Sequence, residues 1–226
     1  MDPGIDERPT DVNSILFDFD GTLIDTWPGI ETTLRASFKA LKFNVHAEAI
    51  TTALVGMPLM KVFDQILEGD RYKADLALQK YRELFPLLGM AASRPFDGAA
   101  KLLKDLNEDN RSLYLVTARN EGITKKMMSD HDLTGYFKWV RGEREGEHPD
   151  GKAHMMSEVL EKFSINPLEC VMVGDRRYDM EAAQVNGIRS IGVTYGYGTE
   201  DELVDAGAVM LADSIGALEK ILLEES

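Results

Sequence analysis

The sequence predicts an α/β fold, a doubly wound parallel sheet of the Rossmann-like kind with an inserted α-helical domain. Three observations predict it. Short unbroken apolar runs, Ile15-Leu16-Phe17, Leu113-Tyr114-Leu115-Val116 and Cys170-Val171-Met172-Val173, read as strands buried on both faces. From Ala99 onward, helix-period stretches alternate with such runs, the rhythm of repeated β-α units. Between the first strand and that region, residues 27–90 keep a helical pattern with no strand alternation.

The elements follow in order. Residues 1–11 are polar and acidic, carry Pro3 and Pro9, and are expected to form a loose tail. Ser14 to Phe17 is the first strand. Ile30, Leu34, Phe38 and Leu41 recur at helical spacing, with Asp25 or Thr26 available as N-cap and Pro28 in the first turn. Val55-Gly56-Met57-Pro58 breaks the pattern, and Leu59 to Leu67 resumes it with Leu59, Val62, Phe63, Ile66 and Leu67 on one face. Gly69-Asp70 is a second break before a longer helix, Tyr72 to Leu88. Ser93 to Gly98 is the return linker. Helices are then expected at Ala99–Leu106, Gly122–His131, Lys152–Phe163, Arg177–Asn186, Glu200–Ala206 and Ser214–Leu223. Strands are expected at Leu113–Val116, Trp139–Val140, Cys170–Val173 and Ser190–Val193, with Val209–Leu211 at the edge. The domains implied are a core of 1–25 and 91–226 and a helical domain of 26–90.

Composition narrows the function. The 226 residues are 44% hydrophobic, ample for a core, and carry a net charge of -14. That acidity argues against nucleic acid or an anionic membrane as a partner. It leaves room for a phosphorylated small molecule held by a few local cations and a metal. Cys170 is the one cysteine, so no disulfide framework forms within the chain. The N-terminus lacks the basic and apolar regions of a signal peptide, and no apolar stretch reaches the ~18 residues of a membrane helix. A cytoplasmic protein, monomer or homodimer, is expected.

The chemistry concentrates at strand ends. Asp18 and Asp20 flank Phe19 directly after the first strand, where open α/β sheets place their sites. Two acids held that close repel unless a cation joins them. Thr117 follows the second buried run, Lys152 opens a helix, and Gly174-Asp175 with Asp179 follows Cys170–Val173. A phosphate monoester resists nucleophiles unless cations mask its charge. Asp18 is therefore read as a nucleophile forming an aspartyl phosphate, and Asp20 as the acid and base that protonates the leaving alkoxide and activates water. Mg²⁺ prefers oxygen donors, supplied by Asp18, Asp175, the Asp20 carbonyl and Asp179. Thr117 can donate to a phosphoryl oxygen, and Lys152 can screen the nucleophile from the phosphate.

Asp18-Phe19-Asp20-Gly21-Thr22-Leu23, Thr117, Lys152 and Gly174-Asp175 with Asp179 together resemble the haloacid dehalogenase superfamily, in its phosphatase branch, over nearly the whole chain. The helical insertion is similar to the family's C1 cap, and Phe96-Asp97-Gly98 resembles the turn re-entering the core in phosphoglycolate-phosphatase-like members. The resemblance implies Mg²⁺-dependent hydrolysis of a small phosphorylated metabolite, phosphoglycolate or a sugar phosphate, through an aspartyl phosphate. It also implies phosphate contacts from Thr22, Thr117, Ala118 and Lys152, and a specificity loop in the cap around Gly56. The dehalogenase branch lacks the second acid, so Asp20 speaks for phosphoryl transfer. Alternatives are a phosphosugar mutase, a phosphonate hydrolase and, remotely, a non-catalytic member.

The chain departs from the family in two places. Around His148 it lacks the usual Lys-Pro-x-Pro-Asp run; Lys152 is assigned as the third-motif cation, with an alignment on His148, or Lys125 or Lys126, as competitors. After Thr117 it reads Ala118-Arg119-Asn120 where many relatives have Asn-Lys, and Arg119 is expected to face solvent.

Overall fold

The computed structural model describes residues 12–144 and 151–223; the expected tail and His148 fall outside the described residues. Ser14–Phe17 is buried and extended as its apolar run requires, and forms β1. The chain then enters an insertion, Ile24–Pro95, which is one unit; the flanking segments form the other.

The insertion contains β2 (Ile24–Asp25), α1 (Trp27–Leu41), α2 (Leu59–Ile66), α3 (Arg71–Leu84), α4 (Met90–Ala92) and β3 (Arg94–Pro95). β2 and β3 pair antiparallel, Ile24 with Pro95 and Asp25 with Arg94. This pairing sets the unit slightly wider than the expected 26–90, because strands this short leave no periodic signal. Thr26 is the N-cap residue of α1 and Pro28 sits in its first turn. α3 ends at Leu84 rather than Leu88. The backbone there widens into a π turn over Phe85–Gly89, where Pro86 has no N–H for the helical ladder. An aromatic relay fills the unit: Phe38 to Phe63 at 6.0 Å, Phe63 to Tyr81 at 5.8 Å, and Tyr81 to Phe85 at 5.5 Å between ring centroids. Gly29 lets α1 approach the π turn, since a Cβ there would lie 2.1 Å from the Gly89 carbonyl oxygen.

After the insertion come α5 (Ala99–Glu108), β4 (Ser112–Asn120), α6 (Glu121–Asp130), β5 (Trp139–Glu143) and α7 (Gly151–Phe163). They are followed by β6 (Cys170–Gly174), α8 (Arg177–Val185), β7 (Arg189–Val193), α9 (Glu200–Asp205), β8 (Met210–Ala212) and α10 (Ile215–Leu223). Six strands form one parallel sheet in the order β5-β4-β1-β6-β7-β8. Alternation along β1 divides the core. Leu16 faces Met156, Val159 and Ala183 of α7 and α8, together with Met172. Phe17 turns to the other side and meets Phe137 edge-on at 6.4 Å. The methionines Met127, Met128, Met155 and Met156 are all buried.

Register positions the site. Phe17, the last residue of β1, pairs with Leu115 on one side and with Val173 on the other, so β1 and β6 end almost level while β4 continues past them. The winding of the sheet changes direction at β1, which opens a crevice at the carboxyl ends. β4 runs further than expected, to Asn120, with a register shift after Val116 and Asn120 opposite Glu143. Thr117 therefore lies within the strand rather than after it.

Candidate active site

Asp18 leaves β1 with its N–H still bonded to the Val173 carbonyl at 2.9 Å. Its side chain is buried beside Asp175 and Asp179, and one carboxylate oxygen from each lies within 4.8 Å of the others. Lys152, from the first turn of α7, inserts its ammonium between them, 2.8 Å from Asp18 Oδ1 and 2.5 Å from Asp179 Oδ1. Lys125 and Lys126 instead pair with Glu121 and Asp130 on the surface of α6.

Asp179 is fixed from two sides. Besides Lys152, it accepts the Arg176 N–H at 3.0 Å and so closes the first turn of α8. Gly174 makes room for it, since a Cβ there would lie 2.2 Å from the Asp179 carboxyl carbon. Asp175 accepts the Tyr197 N–H at 2.8 Å and, weakly, the Thr22 hydroxyl at 3.4 Å. Thr22 is thus fully buried behind a carboxylate. Tyr195 donates its hydroxyl to the Thr22 carbonyl at 2.9 Å. Gly21 and Gly196 press against Asp175: a Cβ at either would overlap its side chain, at 2.1 Å and 2.4 Å respectively. The loop Tyr195-Gly196-Tyr197-Gly198 was not among the residues expected at the site. Its signal was the alternation of glycines directly after a strand.

Asp20 and Arg119 form a second cluster. The guanidinium forks onto the carboxylate, with Nη2 2.7 Å from Oδ1 and Nε 2.9 Å from Oδ2. Arg119 is therefore not solvent-facing as expected; its side chain is 11% exposed and Asp20's is 13%. The Thr117 hydroxyl accepts the Arg119 N–H at 3.2 Å, and Ala118 is exposed beside it. Gly56 lies in the other unit, at φ 86° in the turn before α2.

The electrostatics call for a cation. With all three buried carboxylates ionised, one ammonium leaves a surplus of two negative charges; Arg119 pairs with Asp20 instead. Burial pushes the Asp18 carboxyl up to about 7; Lys152 opposes this, and Asp179 and Asp20 reinforce it. Burial, then Asp18 and Asp179, likewise hold Asp175 well above the carboxylate range. Burial works against the charge of Lys152, but Asp179 and Asp18 outweigh it and raise its pKa. Asp18 Oδ1 accepts no hydrogen bond of good geometry among the described residues. An all-oxygen donor set of three clustered, buried carboxylates fits a hard divalent ion.

Residues 15–193 match the family of haloacid dehalogenase-like hydrolases. A 5'-nucleotidase of Pseudomonas aeruginosa is 30% identical over 92% of this chain and 95% of its own length. A phosphoglycolate phosphatase of Vibrio vulnificus is 27% identical over 94% of this chain and 97% of its own. The crystal structure of a predicted phosphatase from Clostridium acetobutylicum superposes with a TM-score of 0.86 and 31% identity, covering 95% of this chain and 99% of that one. The chain belongs to the haloacid dehalogenase-like hydrolases. Within them it is a phosphatase, a hydrolase of phosphoric monoesters.

Proposed function

We propose that the protein is a Mg²⁺-dependent phosphatase of a small phosphorylated metabolite, working through an aspartyl phosphate on Asp18. The observation that carries this reading is the placement of Asp18: at the end of the central strand, against Lys152 at 2.8 Å, with Asp175 and Asp179 beside it. Mg²⁺ would be held by Asp18, Asp175, Asp179 and the Asp20 carbonyl. Bound there, it would neutralise charge on the phosphoryl oxygens.

The chain's own groups supply the rest. An Asp18 oxygen attacks phosphorus as the ester P–O bond breaks, and the departing electron pair stays on the ester oxygen. Asp20 enters this step protonated, and the ester oxygen takes that proton from its carboxyl. Asp20 then removes a proton from a water that attacks the same phosphorus. The bond to Asp18 breaks, its electrons return to the carboxylate, and inorganic phosphate leaves. Because the Thr117 hydroxyl accepts from Arg119, its own proton is left to give to a phosphoryl oxygen. Lys152 reduces the repulsion between Asp18 and the incoming anion.

A phosphometabolite panel assayed for released phosphate tests the reading. It should include phosphoglycolate, sugar phosphates and nucleoside 5'-monophosphates, the last because of the 30% identical 5'-nucleotidase. Release from at least one ester, lost in EDTA and restored by Mg²⁺, supports the proposal. A rearranged sugar phosphate without free phosphate supports a mutase instead.

A further inference from the structure

We infer that Arg119 is a positioning residue for Asp20, aiming its carboxylate at the leaving-group oxygen. This rests on the acid–base reading of Asp20 given above. Asp20 follows β1, and both of its oxygens are held by one rigid fork. Such a pair is stronger and more directional than one made by a point charge. At 11% and 13% side-chain exposure the two groups are largely screened from water, so the fork is not a freely solvated surface pair.

The guanidinium is itself mounted on a braced segment. Thr117 accepts the Arg119 N–H through its hydroxyl. Gly142 on β5 admits the Arg119 carbonyl, since a Cβ there would lie 2.6 Å from that oxygen. Asn120 caps α6 through the Ile123 N–H at 3.1 Å. Glu121 then accepts the Arg144 Nε at 2.9 Å, tying the start of α6 to the residue after β5. Arg119 thus carries the rigidity of two strand ends and a helix start to a carboxylate that leaves the sheet beyond a third strand.

A group that aims a proton donor matters most where the leaving oxygen needs the proton. The full-length protein with Mg²⁺ should be assayed on p-nitrophenyl phosphate, whose phenolate leaves readily, and on phenyl phosphate, whose phenolate leaves poorly. The readout is kcat/KM, which reports the steps up to the aspartyl phosphate. Arg119→Ala should lower the phenyl value roughly tenfold more than the p-nitrophenyl value. Arg119→Lys, which keeps the charge but not the fork, should show the same bias to a smaller degree. Equal losses on both esters in both variants would make Arg119 merely structural and overturn the inference. Asp20→Asn separates the two layers. If it shows the ester bias and the Arg119 variants do not, this inference alone falls. If it turns over both esters like the parent, the acid–base reading of Asp20 falls and takes the inference with it.

Discussion

At Asp18 burial and charge are opposed, and that opposition can be measured. Asp18→Asn should lower phosphate release by more than about a thousandfold, since an amide cannot form the aspartyl phosphate; retained turnover in a [³²P]phosphate trapping assay would remove Asp18 as nucleophile. In the metal-free protein its pKa stands at about 7, whereas the unfolded chain returns it to about 3.9. The folded state holds the extra proton between these values. The contribution of this carboxyl to stability is therefore complete below about pH 4 and lost as pH rises through 7. Asp175 shifts in the same direction. Melting of the metal-free protein from pH 5 to pH 7.5 should consequently fall less steeply in Asp18→Asn than in the parent. Much of this site was legible from strand-end chemistry, because Asp18, Asp175 and Lys152 each sit beside an element the apolar pattern marks. The Asp20–Arg119 fork was not. Its partners are 99 residues apart, one beyond the end of β1 and one near the end of β4, and Arg119 follows the exposed Ala118, which reads as the start of a loop.

Elements were legible in proportion to their length and uniformity. β1 and β6 announce themselves through unbroken apolar residues. The end of β4 is hidden because Ala118-Arg119-Asn120 breaks the apolar run, and Asn120 still pairs with Glu143. β2 and β3 are too short for any periodicity. The π turn after α3 was invisible because Phe85, Leu87 and Leu88 continue an apolar pattern that does not register an added residue per turn. Two glycines on helices separate propensity from packing. Alanine is favoured over glycine in a helix by about 1 kcal/mol. At Gly216, in the first turn of α10, nothing lies within 4 Å of an added Cβ, so Gly216→Ala should raise stability, by at most about 1 kcal/mol, in urea unfolding. At Gly29 on α1 the added carbon would meet the Gly89 carbonyl at 2.1 Å, a backbone atom that cannot rotate away. Gly29→Ala should therefore destabilise the protein, by roughly 1–3 kcal/mol net of the propensity gain.

For the molecule as a whole, an ion bound at the clustered carboxylates would add to the fold's stability. A ligand that binds only the folded state stabilises it by about 1.4 kcal/mol for each tenfold excess over its dissociation constant. Mg²⁺ should raise the melting temperature of the metal-free protein, and Asp175→Asn should abolish most of that rise. A full rise in the variant would place the ion elsewhere. The sheet order carries a consequence of a different kind. β1 is the first strand among the described residues, yet it lies between β4 and β6, with Ser14 paired to Ser112 and Cys170. During synthesis at roughly 5–20 residues per second, Ile15-Leu16-Phe17 waits on the order of ten seconds before its second neighbour has been made. The strand that later carries the reaction is, for that interval, a sticky unpaired edge on the ribosome. The helical insertion, whose contacts are local, can fold meanwhile. Production of this enzyme should therefore depend on holdase chaperones more than its final stability suggests.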